Sequence, residues 1–193
     1  MENKINEILK NLNIEIKEVE KPISGAYDNY IENKIPSIVY NIHSENNYAF
    51  VPNQFNNVEL LNSYNIIPQY MNYNSDNGII ITSDGDLKLV IILPDYLNIS
   101  INYFIEKIKL FLLKYFINVD VHNNDIMINK KKIIGSGINN INNMNIYMFQ
   151  ITFTDRVELI KKICTKSTKD VGFIDSSILP QETLLNEIIS WFK

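Results

Sequence analysis

The sequence predicts a mixed α/β domain, and three patterns carry that expectation. Short β-like runs bounded by turn residues alternate with helical patterns along the whole chain. One stripe, Ile101, Phe104, Ile105, Ile108, Phe111, Leu112 and Tyr115, recurs at helical spacing for about four turns, long enough to cover a sheet. A second apolar helix face, Leu184, Leu185, Ile188 and Phe192, closes the chain behind Pro180, which suits a first helical position.

From the start, Ile5, Ile8, Leu9 and Leu12 give residues 2–12 an amphipathic helical pattern that leads into an extended run, Ile14 to Val19. Lys21 to Lys34 carries turn residues and few apolar ones, so a loop is expected there. Strand-like runs follow at Ser37 to Ile42 and Tyr48 to Val51, with Pro52 ending the second. Val58, Leu60 and Leu61 suggest a short helix ahead of a strand at Ile66-Ile67-Pro68. Gly78 to Ile81 and Leu87 to Leu93 read as two strands of a hairpin, because Thr82-Ser83-Asp84-Gly85-Asp86 between them contains an Asp-Gly pair. After the central helix come Val119 to His122, Asp125 to Ile128 and Lys132 to Ile134 as short strands, an asparagine-rich loop at Asn139 to Asn145, and a strand from Ile146 to Phe153. Val157, Ile160, Ile163 and Cys164 mark a helix. No repeat or linker divides the chain, so residues 1–193 are expected to form a single domain.

Composition excludes several classes. Hydrophobic residues make up 46% of the chain and charged ones 21%, enough for a packed core without staples and unlike a disordered chain. The excess of Asn, Ile, Lys and Tyr reads as an AT-rich coding sequence from a bacterium, phage or other virus, with no chemical meaning attached. Eighteen basic against twenty-two acidic side chains give a formal charge of −4, and no dense basic cluster is present, so no nucleic-acid partner is expected. No apolar run approaches the roughly 20 residues of a membrane span, and the central stripe reads as core because Glu106 interrupts its lysines. The single cysteine, Cys164, and the absence of a charged-then-apolar leader predict a reducing, cytoplasmic setting, or association with a virion if the source is viral. His43 and His122 stand apart from any metal-ligand spacing, and no phosphate-binding glycine loop or nucleophile elbow is present.

The most specific motif is Asn124-Asp125-Ile126-Met127-Ile128-Asn129-Lys130-Lys131-Lys132-Ile133-Ile134-Gly135-Ser136-Gly137. By itself it also describes a plain β-hairpin with a lysine-rich turn and a glycine stop. It resembles the pattern of lipoate-protein ligases and, more broadly, the lipoate-protein ligase, biotin-protein ligase and octanoyltransferase family: an Asn-Asp pair, a hairpin, then Lys-Ile-x-Gly-Ser and a small residue. Other features resemble the family in order along residues 36–193: Asn53-Gln54, the Ile66-Ile67-Pro68 strand, Gly78 with Ile79-Ile80-Ile81, Gly85-Asp86-Leu87, the central helix, and Phe173 to Ser177 before the last helix.

The resemblance implies a class II synthetase-like fold, a mixed, largely antiparallel sheet flanked by helices. It implies attachment of lipoate, octanoate or biotin to a carrier-protein lysine through an acyl-adenylate, with ATP and Mg as cofactors and a lipoyl or biotinyl domain as partner. Lys132 would be catalytic, a fixed ammonium beside the carboxylate and α-phosphate; losing such a preorganised donor typically costs roughly 3–4 kcal/mol. Gly78, Asn124, Asp125, Gly135, Ser136 and Gly137 would bind substrate or nucleotide, the glycines by letting backbone N–H groups approach closely, and Asp125 is the magnesium candidate because that ion prefers hard oxygen.

The chain also departs from the family. Aligning on Gly78 puts Asn72, Tyr73, Asp76 and Asn77 where arginines and glycines are expected, which removes a bidentate phosphate fork. Asn145-Ile146-Tyr147-Met148-Phe149 lacks the family's His-Gly-Thr character, and Tyr147 and Phe149 would fill the pocket. Cys164 lies near the cysteine that octanoyltransferases use with the lysine, opening a thioester route, yet it also falls on an apolar helix stripe. The alternative is therefore a degenerate member of the fold, a binding or assembly module with a protein partner and no cofactor.

Overall fold

The protein is described by a computed structural model over residues 2–19, 27–42, 47–52, 57–71, 80–163 and 170–193. Its elements are helix α1 (Glu2–Lys10), strand β1 (Glu15–Glu18), helix α2 (Asp28–Glu32), strands β2 (Ser37–Asn41) and β3 (Asn47–Pro52), helix α3 (Val58–Ser63), strands β4 (Ile66–Met71), β5 (Ile80–Thr82) and β6 (Leu87–Pro94), helix α4 (Ile101–Leu112), strands β7 (Val119–His122), β8 (Asp125–Ile128), β9 (Lys131–Ile141) and β10 (Met144–Ile151), and helices α5 (Val157–Ile163) and α6 (Gln181–Ser190). Seven strands form one sheet in the order β1-β2-β6-β10-β9-β8-β7, antiparallel except for β1 beside β2. A smaller sheet has the order β4-β3-β5, with β3 and β4 parallel and α3 as their crossover. This is the mixed, largely antiparallel sheet flanked by helices that the family resemblance implies, with a second small sheet added.

The apolar run of β6, interrupted by Lys88 alone, has a simple cause. It lies between β2 and β10 and is buried on both faces, so alternation is lost. Leu89, Ile91 and Leu93 join the main core with Phe104, Ile105 and Ile108 of α4 and Leu184, Leu185 and Ile188 of α6, while Val90 and Ile92 turn the other way, towards Ile31 of α2. The central helix starts where Ser100 caps it, its hydroxyl accepting from the Asn102 N–H at 3.3 Å, and Phe104 in its first turn meets Tyr147 edge-on at 4.9 Å between ring centroids. Two expectations need correction here. The segment read as loop to Lys34 contains the short helix α2, which a single buried anchor, Ile31, holds against the sheet. Pro180 is the residue before the last helix rather than inside it.

The Asp-Gly segment is not a hairpin turn. β5 pairs with β3 and β6 pairs with β2 and β10, so Thr82 to Asp86 is a corner that passes the chain from the small sheet to the large one. Gly85 has φ +83°, as the tight turn requires. The corner is tied by the fully buried Asp86, whose carboxylate accepts from the backbone N–H groups of Ser83 at 3.1 Å, Phe153 at 2.9 Å and Thr154 at 3.2 Å, and pairs with the guanidinium of Arg156. Arg156 also donates to the Ile81 carbonyl of β5. Burial pulls the Arg156 pKa down to about 10, still well above neutrality.

The asparagine-rich loop is likewise corrected. β9 runs on to Ile141 and β10 begins at Met144, so only Asn142 and Asn143 form the connection. Three successive hairpins share this design: Asn123-Asn124 between β7 and β8, Asn129-Lys130 between β8 and β9, and Asn142-Asn143. All six residues have positive φ, between 49° and 67°, the geometry of two-residue type I′ turns, which asparagine tolerates better than other non-glycine residues. The asparagines therefore carry structural meaning beyond codon usage.

Two stability measurements follow. Arg156→Met leaves the Asp86 carboxylate buried and unpaired, and urea unfolding should show a loss of about 3–5 kcal/mol. Asn143→Val places a β-branched residue in the left-handed region and should cost about 1–2 kcal/mol, whereas Asn143→Gly should stay within a few tenths of a kcal/mol of the parent.

Candidate functional site

The site is built on β9 by a shift in strand register. Residues three apart on a regular strand face opposite sides, so Lys132 and Gly135 should lie on different faces. The pairing with β8 breaks this parity: Ile126 faces Ile134 but Met127 faces Lys132, leaving Ile133 as the extra residue of a β-bulge. The bulge brings the Lys132 side chain round onto the face of Gly135. A Cβ added to Gly135 would stand 3.2 Å from Lys132 Cε and 3.3 Å from its Nζ, so a bare backbone is what allows the ammonium to lie there. Lys132 Nζ pairs with Asp125 Oδ1 at 2.9 Å; the carboxylate is buried, while the lysine side chain keeps 34% of its surface exposed. The lysine is thus held from below and open above.

Its backbone is fixed as well. The Lys132 N–H donates to the Asp170 carbonyl at 2.7 Å and its carbonyl accepts from the Gly172 N–H at 3.0 Å. Gly172 suits that approach, because a Cβ there would meet Ile133 Cδ1 at 2.8 Å and Lys131 Cβ at 3.0 Å and push those side chains aside. From Gly135 onwards β9 is paired on its β10 side alone among the named strands; Gly135 is covered by the Lys132 side chain, while Gly137, on the same face, would bring an added Cβ no closer than 3.7 Å to Met148 Cε.

Of the residues singled out from sequence, Lys132, Asp125, Gly135 and Gly137 come together here. Ser136 and Asn124 do not join them through their side chains. Ser136 is paired opposite Phe149, which faces the main core, and its hydroxyl donates to the Asn124 carbonyl at 2.5 Å, bracing the β7–β8 turn. Asn124 owes its identity to φ +66° in that turn. Gly78 and Cys164 lie outside the described residues, as do His43, Asn53, Gln54, Asn72, Tyr73, Asp76 and Asn77. Tyr147 and Phe149 are fully or almost fully buried in the main core on the opposite face of the sheet, so neither fills a pocket beside Lys132. Tyr147 donates its hydroxyl to the Ile99 carbonyl, and burial pushes its pKa up to about 12. Among the described residues no group of three or more His, Cys, Asp or Glu is placed to hold a metal ion, and no helix is long and apolar enough to cross a membrane.

Sequence reasoning missed the polar row beside this cradle. Direct cross-strand partners share a face, so Asn41, Lys88, Gln150 and Gly135 form one line across β2, β6, β10 and β9. Lys88 is 4% exposed and donates to Asn41 Oδ1 at 2.9 Å; burial lowers its pKa to about 8, with Asp84 opposing the shift. Gln150 reaches towards Asp86, Nε2 to Oδ2 being 3.4 Å, which links the row to the buried corner. The available signal was a lone lysine inside the apolar run Leu87 to Leu93, together with the chain's one arginine, Arg156.

No protein-family model matches the chain, and no curated protein sequence does. Solved structures do match. The lipoate complex of P. falciparum LipL1 superposes with a TM-score of 0.69 at 14% identity over 93% of this chain, which spans 60% of that protein's length. A lipoate-protein ligase A bound with ATP gives 0.64 at 16% identity, covering 94% of this chain and 83% of its own. The biotin protein ligase of Leishmania major in complex with biotin gives 0.58 at 12% identity, covering 93% and 72%. Such identities speak for architecture alone, and on that architecture they agree: this chain has the fold of the lipoate- and biotin-protein ligases.

Proposed function

We propose that the chain is an acyl ligase that activates a carboxylic acid of the lipoate, octanoate or biotin type with ATP and attaches it to a lysine of a carrier domain. The observation that carries this reading is the Lys132 ammonium lying over bare Gly135 and paired with the buried Asp125 carboxylate, its side chain still a third exposed. In the adenylation half, a carboxylate oxygen attacks the α-phosphorus and pyrophosphate leaves. In the transfer half, a carrier amine attacks the acyl carbon and AMP leaves. Negative charge gathers on oxygens near the α-phosphate in both halves. A cation already oriented there stabilises that charge with little reorganisation.

The residues divide the work by position. Lys132 binds the oxyanion, Asp125 holds the lysine in one rotamer, Gly135 leaves room for the lysine side chain, and Gly137 leaves room for the ligand against the strand. ATP supplies the leaving group that makes the acid reactive. The donor set suits magnesium only thinly: Asp125 already pairs with Lys132, so the ion would be held mostly by phosphate oxygens with Asp125 as a single protein carboxylate. A thioester route through Cys164 is the competing chemistry and needs an acylated carrier as donor in place of ATP.

Intact-mass spectrometry of lipoyl and biotinyl carrier domains, incubated with the protein, Mg-ATP and a panel of acids, tests the reading. A mass gain that falls on the order of 10²–10³-fold in rate with Lys132→Ala is the expected result. Absence of any gain from folded protein and competent carriers, or a gain untouched by Lys132→Ala, overturns it. Asp125→Asn should keep binding of the acid but slow transfer by roughly 10-fold or more, because the ammonium loses its orienting partner.

A further inference from the structure

The hairpin that carries Lys132 ends in a tip with properties the cradle does not need. Five of the six central positions in the hairpin turns between β7 and β10 are asparagine; the sixth is Lys130, at φ +67°. Lysine has neither the bare Cα of glycine nor the short polar side chain of asparagine, so it holds that left-handed geometry at a cost in backbone strain. The tip is also fixed in place. The Asn129 N–H donates to the Asn118 carbonyl at 3.0 Å, and Asn118 Nδ2 donates to Asn129 Oδ1 at 3.1 Å. This tie sets the tip beside the chain that leaves α4, where Ile117 is 93% exposed and Leu113 is 43% exposed.

Positive charge gathers at the same place. Residues 101–132 hold six lysines against three acids, a net +3 in a chain whose total is −4, so the remainder carries −7. Of those lysines, Lys114, Lys130 and Lys131 are exposed and make no ion pair among the described residues. An aliphatic side chain almost wholly in water, rimmed by unpaired cations, has the layout of a docking surface, with an apolar centre and a charged border. Its position ties it to the cradle. Lys130 stands two residues from Lys132 along the chain, about 7 Å. A standard footprint of about 800 Å² per partner is roughly 30 Å across, so a domain seated on the tip also reaches Lys132.

We infer that Ile117, Lys114, Lys130 and Lys131 form the docking surface for the carrier domain, and that the carrier accepted is acidic around its acceptor lysine. Ile117 supplies the apolar contact, while the lysines steer and orient the domain so that its amine arrives at the Lys132 end of the hairpin. Charge selects this occupant. A second copy of the chain would set the patch against itself across a two-fold axis, lysine against lysine. The inference rests on the ligase reading for the partner's being a carrier, and adds where that partner binds and by what chemistry.

The test uses lipoyl and biotinyl carrier domains with an acidic surface beside the acceptor lysine. Docking is measured by calorimetry, transfer by intact mass as a function of carrier concentration, and adenylation by pyrophosphate release without carrier. Lys130→Glu and Ile117→Asp should each raise the KM for the carrier by roughly 10-fold or more, with kcat and pyrophosphate release unchanged. Lys130→Asn should raise that KM several-fold while its urea midpoint rises or holds, since asparagine suits the turn. A lysine serving only the turn would lower the midpoint and leave KM alone. Raising salt from about 50 to about 200 mM should raise KM for the parent and hardly change it for Lys130→Glu. Transfer with KM untouched by all three substitutions overturns this inference and leaves the ligase reading intact. Carrier binding that is weakened by salt and lost in Lys130→Glu, without pyrophosphate release or transfer, overturns the ligase reading and keeps the docking surface. Binding to anionic lipid vesicles in place of carrier, lost in Lys130→Glu, overturns the inference in favour of a membrane. Binding to neither overturns it outright.

Discussion

The Asp86–Arg156 pair is the constraint on which the rest of the arrangement hangs. It sits where the small sheet gives way to the large one, and its carboxylate also gathers the backbone just past β10. Arg156 reaches back to β5 from the start of α5, so three parts of the chain distant in sequence are joined at one buried point. Pairs of this kind contribute little net stability compared with a well-packed apolar substitute, because both ions lose their hydration. What this one supplies is position. Gln150 extends the network from the corner onto the sheet face that carries Lys88 and Lys132, which ties that face to the buried Asp86 carboxylate.

The large sheet divides its work between two faces. One packs α4 and α6 and holds Tyr147, Phe149 and Ile151 of β10. The other carries the polar row and an apolar row ending at Gly137, with α2 covering only its far side through Ile31. A single extra residue at Ile133 decides on which face Lys132 appears. The same side chain in regular pairing would enter the core side, so the bulge is what places Lys132 beside Asp125 and Gly135.

Much of this was legible in the sequence. The helical stripe of α4 was plain because six of its seven members are buried in the helix, Tyr115 lying just beyond its end. The hairpin motif placed Asp125 and Lys132 on adjoining strands, but it ended the second strand at Ile134 and read the glycines as its stop, whereas β9 continues through Gly135 and Gly137 to Ile141. What failed was whatever depended on partners remote in sequence. An Asp-Gly pair marks a tight turn equally well in a hairpin and in a corner between sheets, and only the identity of the pairing strands separates the two. Ser136 looked like a donor beside Lys132 because the count of residues alone does not reveal a bulge. Tyr147 and Phe149 looked like plugs because the face they occupy was unknown. Lys88 was the most readable omission, a charge within six apolar neighbours, and was passed over because a buried cation has no meaning until its surroundings are seen.

The asparagine turns have a consequence for how this chain tolerates drift in composition. Among the described residues Gly85 is the single glycine with positive φ, while seven asparagines occupy that region. Glycine in those places would relieve strain in the folded turn but would give the unfolded chain more conformations to abandon. Asparagine exchanges a small native-state strain for a narrower unfolded ensemble, and the two effects nearly offset. A coding sequence poor in glycine codons can therefore preserve three tight hairpins, and with them the register that sets the bulge at Ile133. Base composition is absorbed at the turn tips while the geometry around Lys132 stays fixed.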